Sequence, residues 1–301
     1  MKRKISLIIA AMAIMMTKVF AGTIHVVATT QDLKSIAEFI GGNKVDVFGI
    51  ATGYQNPHFV DPKPSYIIKL SNADVFITVG LDLETGWSPP LLASSRNPKI
   101  QKGNAGYVDA SIGVQLMQVP SSINRGEGDI HIYGNPHYWL DPLNGKQIAR
   151  NICDGLERIS PENKFFFEAN LKTFNETIDT KLKTWNAQMA KYKGSKIIAY
   201  HNEWCYFENR FGLQVVDFLE PKPGIPPTPS QLVKIIGEVK DNHIKVIISS
   251  PYFTTSSSDV VAKQTGAKVL TLATSAGAFD SVKTYFDVFD YNIHQLTNAL
   301  Q

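Results

Sequence analysis

The sequence predicts an α/β protein of two lobes, each a small, mainly parallel sheet flanked by helices, joined by one long rigid linking helix. Three observations support this prediction. Short apolar strands alternate with helical segments from residue 23 to residue 79, and the same alternation restarts at residue 196. Between these regions lies a helical pattern of about 32 residues. Continuous apolar strands separated by helices are typical of a parallel sheet covered on both faces.

The elements of each lobe follow from this alternation. In the first lobe we predict strands at 23–29, 45–50 and 75–79 and helices at 32–40 and 64–72. In the second lobe we predict strands at 196–200, 214–218, 246–248 and 268–272, helices at 229–242 and 257–265, and a final helix from about 281 to 300.

The linking helix is predicted to begin at Ser160-Pro161, a capping residue followed by proline at the first helical position. Apolar residues then recur, at intervals of three or four positions after the first: Phe166, Leu171, Phe174, Ile178, Leu182, Trp185 and Met189. A helix of about 32 residues is about 48 Å long, enough to run along both lobes. A free coiled coil is disfavoured because sustained heptads with flanking charges are missing. We therefore divide the chain into residues 1–21, 22–159, 160–194 and 195–301.

Residues 1–21 have the layout of a secretory signal peptide: Lys2-Arg-Lys4, an apolar run over residues 5–16, and Ala21 at the expected cleavage point. The apolar run is too short for a transmembrane helix, which needs about 20 residues. No cysteine lies near the expected cleavage point, so we expect no lipid anchor there. We predict a soluble, exported periplasmic protein that begins at Gly22.

The charge and the cysteines exclude other classes of protein. The chain carries a net charge of +3, but residues 1–21 hold four basic residues and no acidic one, so the remainder carries −1. With no dense basic stripe left, a nucleic-acid partner is not expected. Cys153 and Cys205 match no paired-cysteine metal motif. We favour two free buried thiols over a disulfide, because a disulfide would restrict movement between the lobes in which the two residues are predicted to lie.

Three of the seven histidines lie where an α/β protein binds ligands. His58 follows the second strand, His201 ends the first strand of the second lobe, and His137 lies in a loop before a helix. The tripeptide Asn-Pro-His occurs at both 56–58 and 135–137, and proline makes each loop rigid. Three neutral imidazoles suit Zn²⁺, with a carboxylate or water as fourth ligand. The alternative for His137 is packing beside Tyr138 and Trp139. We expect His25, His243 and His294 to be ordinary packed or surface residues.

The chain also resembles the metal-specific solute-binding proteins of ABC importers, a family that contains zinc receptors and manganese-binding lipoproteins. The resemblance covers nearly all of residues 22–301 and depends on these segments: Asn56–His58 with Asp61–Ser65, Leu70–Asp74, Pro136–Pro142, Tyr200–Phe207 with Phe211–Leu213, and Thr265–Val269. It implies that His58, His137 and His201 bind the metal in the cleft between the lobes. It also implies that a monomer delivers the ion to an ABC importer permease in the inner membrane.

The resemblance leaves the fourth ligand open. Relatives often have an acidic residue in the loop after the last strand, where Asp280 is the only carboxylate here. We predict Asp280 as the fourth ligand, with water as the alternative and Glu203 as a weaker candidate. The segment 120–131 lacks the histidine-rich composition common in zinc receptors, but His131 is a candidate accessory ligand. We expect zinc rather than manganese or iron, because manganese sites prefer more oxygen ligands.

Two other functions fit three histidines less well. A zinc hydrolase would need a general base and room for a substrate, and only Asp280 is available as a base. A receptor for an organic ligand would use aromatic residues such as Tyr54, Tyr138 and Trp139. If the histidines bind metal, we expect the metal affinity to fall as the pH drops towards about 6.

Overall fold

The computed structural model describes residues 22–121, 131–222 and 224–301. The predicted signal segment, residues 1–21, lies outside the described residues. The described part of the chain forms two four-stranded sheets flanked by helices, which confirms the predicted two-lobed α/β fold. No helix in this part is long and apolar enough to cross a bilayer.

The first lobe contains four strands in the spatial order β2-β1-β3-β4, and all neighbouring strands are parallel. Its elements are β1 (Ile24–Ala28), α1 (Gln31–Gly41), β2 (Val45–Gly49), α2 (Pro64–Ser71), β3 (Val75–Thr78), α3 (Ser88–Ser95), β4 (Tyr107–Asp109) and α4 (Pro142–Ile159). The sequence analysis missed α3, which begins at Ser88-Pro-Pro, and β4, which is only three residues long.

The second lobe repeats this order as β6-β5-β7-β8, again with parallel neighbours. Its elements are β5 (Lys196–Ala199), α6 (Cys205–Phe211), β6 (Gln214–Phe218), α7 (Pro229–Asp241), β7 (Val246–Ser249), α8 (Ser256–Thr265), β8 (Lys268–Thr271) and α9 (Tyr285–Ala299). In each lobe the first strand has neighbours on both sides. A ligand crevice is expected beyond the carboxyl ends of such strands.

The long helix α5 (Lys164–Met189) lies between the lobes in sequence, with short 3₁₀ turns at Pro161–Asn163 and Ala190–Tyr192. Its buried stripe consists of Phe167, Leu171, Phe174, Ile178, Trp185 and Met189. Phe167 takes the place that we predicted for Phe166, which is 36% exposed. Phe167 lies four residues before Leu171 and so continues the helical spacing, whereas Phe166 lies five residues before it. The boundaries 22–159, 160–194 and 195–301 stay a prediction.

The C-terminal helix α9 returns to the long helix and packs against α5 and α1. The indole of Trp185 donates to Asp290 at 2.8 Å, and the rings of Phe174 and Tyr285 stack with centroids 6.2 Å apart. One hydrophobic core runs continuously from β1 through α5 to α9. Cys153 and Cys205 are both free and buried, as predicted.

Candidate metal centre

The structure brings His58, His137 and His201 together in the cleft between the lobes. Their ring centroids are 5.1 to 5.7 Å apart, and one ligand atom from each lies within 4.8 Å of the others. His58 comes from the loop after β2, His137 from the segment before α4, and His201 from the residues after β5. His137 and His201 are buried, whereas His58 is half-buried. These side chains could hold one ion at a largely buried position.

The two Asn-Pro-His tripeptides fold in the same way. The side-chain oxygen of Asn56 accepts from the backbone N–H of His58 at 3.0 Å and faces its Nδ1 at 3.0 Å. Asn135 makes the same pair of contacts to His137, at 3.0 and 2.9 Å. Because a backbone N–H can only donate, the atom facing it is the amide oxygen. Each Nδ1 therefore carries a proton and donates to this oxygen, so each Nε2 keeps a lone pair for a metal.

His201 is held in a different way, by Glu220. The two residues lie two positions beyond the ends of the neighbouring strands β5 and β6, and the backbone pairing continues there, with Glu220 N donating to Tyr200 O at 2.9 Å. Nδ1 of His201 contacts the Glu220 carboxylate. Such a carboxylate orients a ligating imidazole and raises its basicity. The sequence analysis missed Glu220, which the matching positions after two adjacent strands could have indicated.

The side chain of His137 is fixed by its neighbours from both lobes. The Tyr138 hydroxyl donates to Val79 O at 2.7 Å in the first lobe, and the Trp139 indole donates to Thr274 O at 2.8 Å in the second. The Trp139 ring lies 5.3 Å from the His137 ring, so the aromatic packing considered above is present as well. However, Nε2 of His137 is buried and has no hydrogen-bond partner among the described residues. A buried polar atom in this state is destabilising, and a metal ion would satisfy it.

Burial keeps the imidazoles of His58, His131 and His137 neutral. Desolvation, followed by the charges of His131 and His201, lowers the pKa of His58 to about 3. Desolvation and the charge of His201 lower the pKa of His131 to about 4, and burial places the pKa of His137 well below its ordinary value. Our expectation that the metal affinity falls towards pH 6 assumed ordinary histidines and stays a prediction, but the lowered pKa values of His58 and His137 argue against it at these two residues. Protons compete with a metal at these two residues only at much lower pH.

The lowered pKa values of His58 and His137 reduce the number of protons that zinc must displace when it binds. At pH 6, three histidines with an ordinary pKa of 6.5 would together hold about 2.3 protons, which a metal would have to displace. We expect zinc binding at pH 6 to release no more than about one proton, because His58 and His137 are already neutral. Calorimetric titrations in two buffers of different ionisation enthalpy measure this number. Release of two or more protons would contradict the lowered pKa values.

Known proteins resemble this chain in sequence and in fold. Residues 26–299 match the model of the family described as zinc-uptake complex component A, periplasmic (ZnuA). The chain belongs to the ZnuA family. Its members are substrate-binding proteins of ABC importers and not enzymes, which confirms the family resemblance and excludes the hydrolase alternative.

Two curated relatives of this ZnuA-family chain differ in the metal that they are named for. The chain is 27% identical to the manganese ABC transporter substrate-binding lipoprotein PsaA of Streptococcus anginosus over 290 residues, covering 92% of this chain and 89% of the relative. It is 26% identical to the high-affinity zinc uptake system protein ZnuA of Bacillus subtilis over 285 residues, covering 92% and 88%. Family membership therefore shows that the chain is a substrate-binding protein of a metal ABC importer, but it does not decide which metal the chain binds.

Solved structures agree on the fold. A crystal structure of ZnuA superposes with a TM-score of 0.78 at 24% identity, covering 93% of this chain and 100% of that chain. A manganese-bound periplasmic metal-binding protein from Candidatus Liberibacter asiaticus superposes with a TM-score of 0.75 at 20% identity, covering 92% and 99%.

The structure does not bring Asp280 to the three histidines. Asp280 is exposed in the turn between β8 and α9, and it is not part of the group of potential metal ligands. The preceding residues of this loop lie against the first lobe, where a Cβ added at Gly53 would meet the backbone of residues 276–278. Glu203 is also engaged elsewhere, because its buried carboxylate accepts from the hydroxyls of Ser250 and Tyr252.

A hydrogen-bonded contact fixes this loop to the first lobe. The carboxylate of Asp32, at the start of α1, accepts from the Ser275 hydroxyl and, at 3.0 Å, from the backbone N–H of Ala276. Asp32 is buried, which raises its pKa to about 7. The loop after β8 is thus tied to the first lobe at the start of α1.

A second cluster of potential ligands, Cys153 with Glu157 and Glu168, is already satisfied. Lys164 pairs with Glu157 at 3.0 Å, and Arg150 pairs with Glu168 at 2.8 Å. Burial raises the pKa of the Cys153 thiol to about 12, so it is protonated and a poor ligand. We assign no metal to this cluster.

Proposed function

We propose that this protein binds Zn²⁺ through His58, His137 and His201 and delivers it to the permease of an ABC importer. The observation that carries the proposal is Nε2 of His137, a buried atom without a hydrogen-bond partner among the described residues. An unsatisfied buried polar atom costs roughly 1–3 kcal/mol. The same atom belongs to a group of three imidazoles within 4.8 Å of one another, so a shared ion accounts for both facts.

The donor set favours zinc over manganese and iron. Asn56 and Asn135 direct two neutral Nε2 atoms, and Glu220 directs the third, towards one position. Zinc suits imidazole ligands in a tetrahedron, whereas manganese prefers carboxylate, carbonyl and water oxygens in an octahedron. Glu203 is engaged by two hydroxyls and Asp280 is exposed, so no carboxylate among the described residues joins the three histidines. Mn²⁺ and Fe²⁺ are therefore the weaker candidates.

The location and the partner follow from the family. We propose that residues 1–21 are cleaved near Ala21 and that the mature protein acts as a monomer in the periplasm. The family is described as periplasmic, and the two named relatives belong to metal uptake systems. The partner is the permease in the inner membrane.

Equilibrium dialysis followed by metal analysis tests the function. Purified protein is dialysed against Zn²⁺, Mn²⁺ and Fe²⁺ separately and then against equal mixtures. We expect one zinc per chain and complete displacement of the other two ions by zinc. Retention of manganese in the mixture would indicate a manganese receptor, whereas the absence of any bound metal would favour an organic ligand.

A further inference from the structure

His131 contacts His58 at the edge of the group of three histidines. Its Nε2 is 2.9 Å from Nε2 of His58, and its ring centroid is 4.9 Å from that of His58 and 6.3 Å from that of His137. These separations are close to the 5.1 to 5.7 Å found within the group of three. Nε2 of His131 and Nε2 of His58 therefore lie next to each other on one side of the metal centre.

The direction of this contact follows from the proton positions. His58 donates through Nδ1 to Asn56, so its Nε2 carries a lone pair and accepts. His131 is therefore the donor, with its proton on Nε2. A shift of this proton to Nδ1 converts one neutral form of His131 into the other and releases no net charge. Because His131 is half-buried beside an open cleft, water can carry the proton.

We propose that His131 is the fourth ligand of the metal and closes a four-histidine site. This inference rests on the proposed function. In a tetrahedral zinc site with Zn–N distances of about 2.0–2.1 Å, neighbouring ligand nitrogens are about 3.3 Å apart. The pair of His131 and His58 is within half an ångström of this edge length. His131 is not yet within 4.8 Å of all three ligand atoms, so its ring moves towards His137 and His201 when it binds the ion.

The surroundings of His131 are consistent with this role. Together with His58 it lines a cleft of about 490 Å³ that also contains Asp61, Asp82 and Trp87. The exposed carboxylates of Asp61 and Asp82 attract a cation to the mouth of the cleft. An ion that enters here meets the His131–His58 pair first and replaces the hydrogen bond between the two rings. His131 then separates the bound ion from solvent.

Two variants of His131 distinguish a metal ligand from a residue that only donates a hydrogen bond to His58. His131→Gln keeps a donor that can reach His58 but removes the imidazole, and His131→Ala removes both. Exposed His25 provides the matched control, His25→Gln. We expect both His131 variants to bind zinc at least about a hundredfold more weakly, as for the loss of one of four ligands, and the control to bind like the wild type. X-ray absorption of the zinc complexes should show four imidazoles in the wild type and three in His131→Gln.

Each result is decisive for one of the two proposals. Wild-type affinity in His131→Gln, or three imidazoles in the wild-type complex, would overturn the role of His131 while leaving the three-histidine site intact. Failure of the wild type to bind zinc would instead overturn the proposed function. Circular dichroism of the metal-free variants checks that they are folded.

Discussion

His137→Ala is expected to weaken zinc binding by about a hundred- to a thousandfold. Structural zinc sites contribute roughly 10–16 kcal/mol, so each of four ligands accounts for about 2.5–4 kcal/mol. His137 is the most buried of the three histidines, and its Nε2 has no hydrogen-bond partner among the described residues. His58→Ala and His201→Ala are expected to lose affinity in the same range. Competition with a chelator of known zinc affinity measures the loss.

Asp280→Ala is the matched control for this series. Its side chain is exposed and outside the group of potential ligands, so we expect less than about a twofold change in zinc affinity. Thermal unfolding without metal separates loss of a ligand from loss of the fold. A histidine variant that is folded and retains wild-type affinity would refute the site, and a large loss in Asp280→Ala would restore Asp280 as a ligand.

Gly53→Ala is expected to lower the free energy of unfolding by about 1–3 kcal/mol. A Cβ at Gly53 would lie 2.1 Å from Ala276 O and 2.3 Å from Gly277 C. These are backbone atoms, so the loop after β8 must move away from the first lobe. This movement strains the hydrogen bonds of Asp32 to Ser275 and Ala276. Urea unfolding of the metal-free protein measures the change.

Gly237→Ala is the control for the added methyl group. Gly237 lies inside α7, and a Cβ there would meet nothing within 4 Å. Alanine is the better helix former by up to about 1 kcal/mol, so this variant is expected to be neutral or slightly more stable. Equal stability of the two variants would show that the loop and the first lobe are not held together as closely as the distances at Gly53 indicate.

The fold was predictable because its signals are local. Apolar runs such as Val246–Ser249 and the periodic stripe of α5 mark buried elements whatever their neighbours are, and both were located within a few residues. The missed elements lack such a signal: β4 has three residues, and α3 begins with two consecutive prolines. The error at Phe166 was one of spacing, because Phe166 lies five residues before Leu171, whereas the buried Phe167 lies four residues before it.

By itself, the sequence determined the class of fold, the family and the three histidines that meet in the cleft. Rigid Asn-Pro-His loops and strand ends are local features, and together with the family resemblance they singled out these three residues. Only the tertiary structure decided which side chains surround these histidines. Glu220 reaches His201 because β5 and β6 are neighbours, Asp280 is turned to solvent by the loop after β8, and His131 lies against His58. The physical reason is that contacts between residues far apart in sequence depend on strand order and loop path, which short-range patterns do not encode.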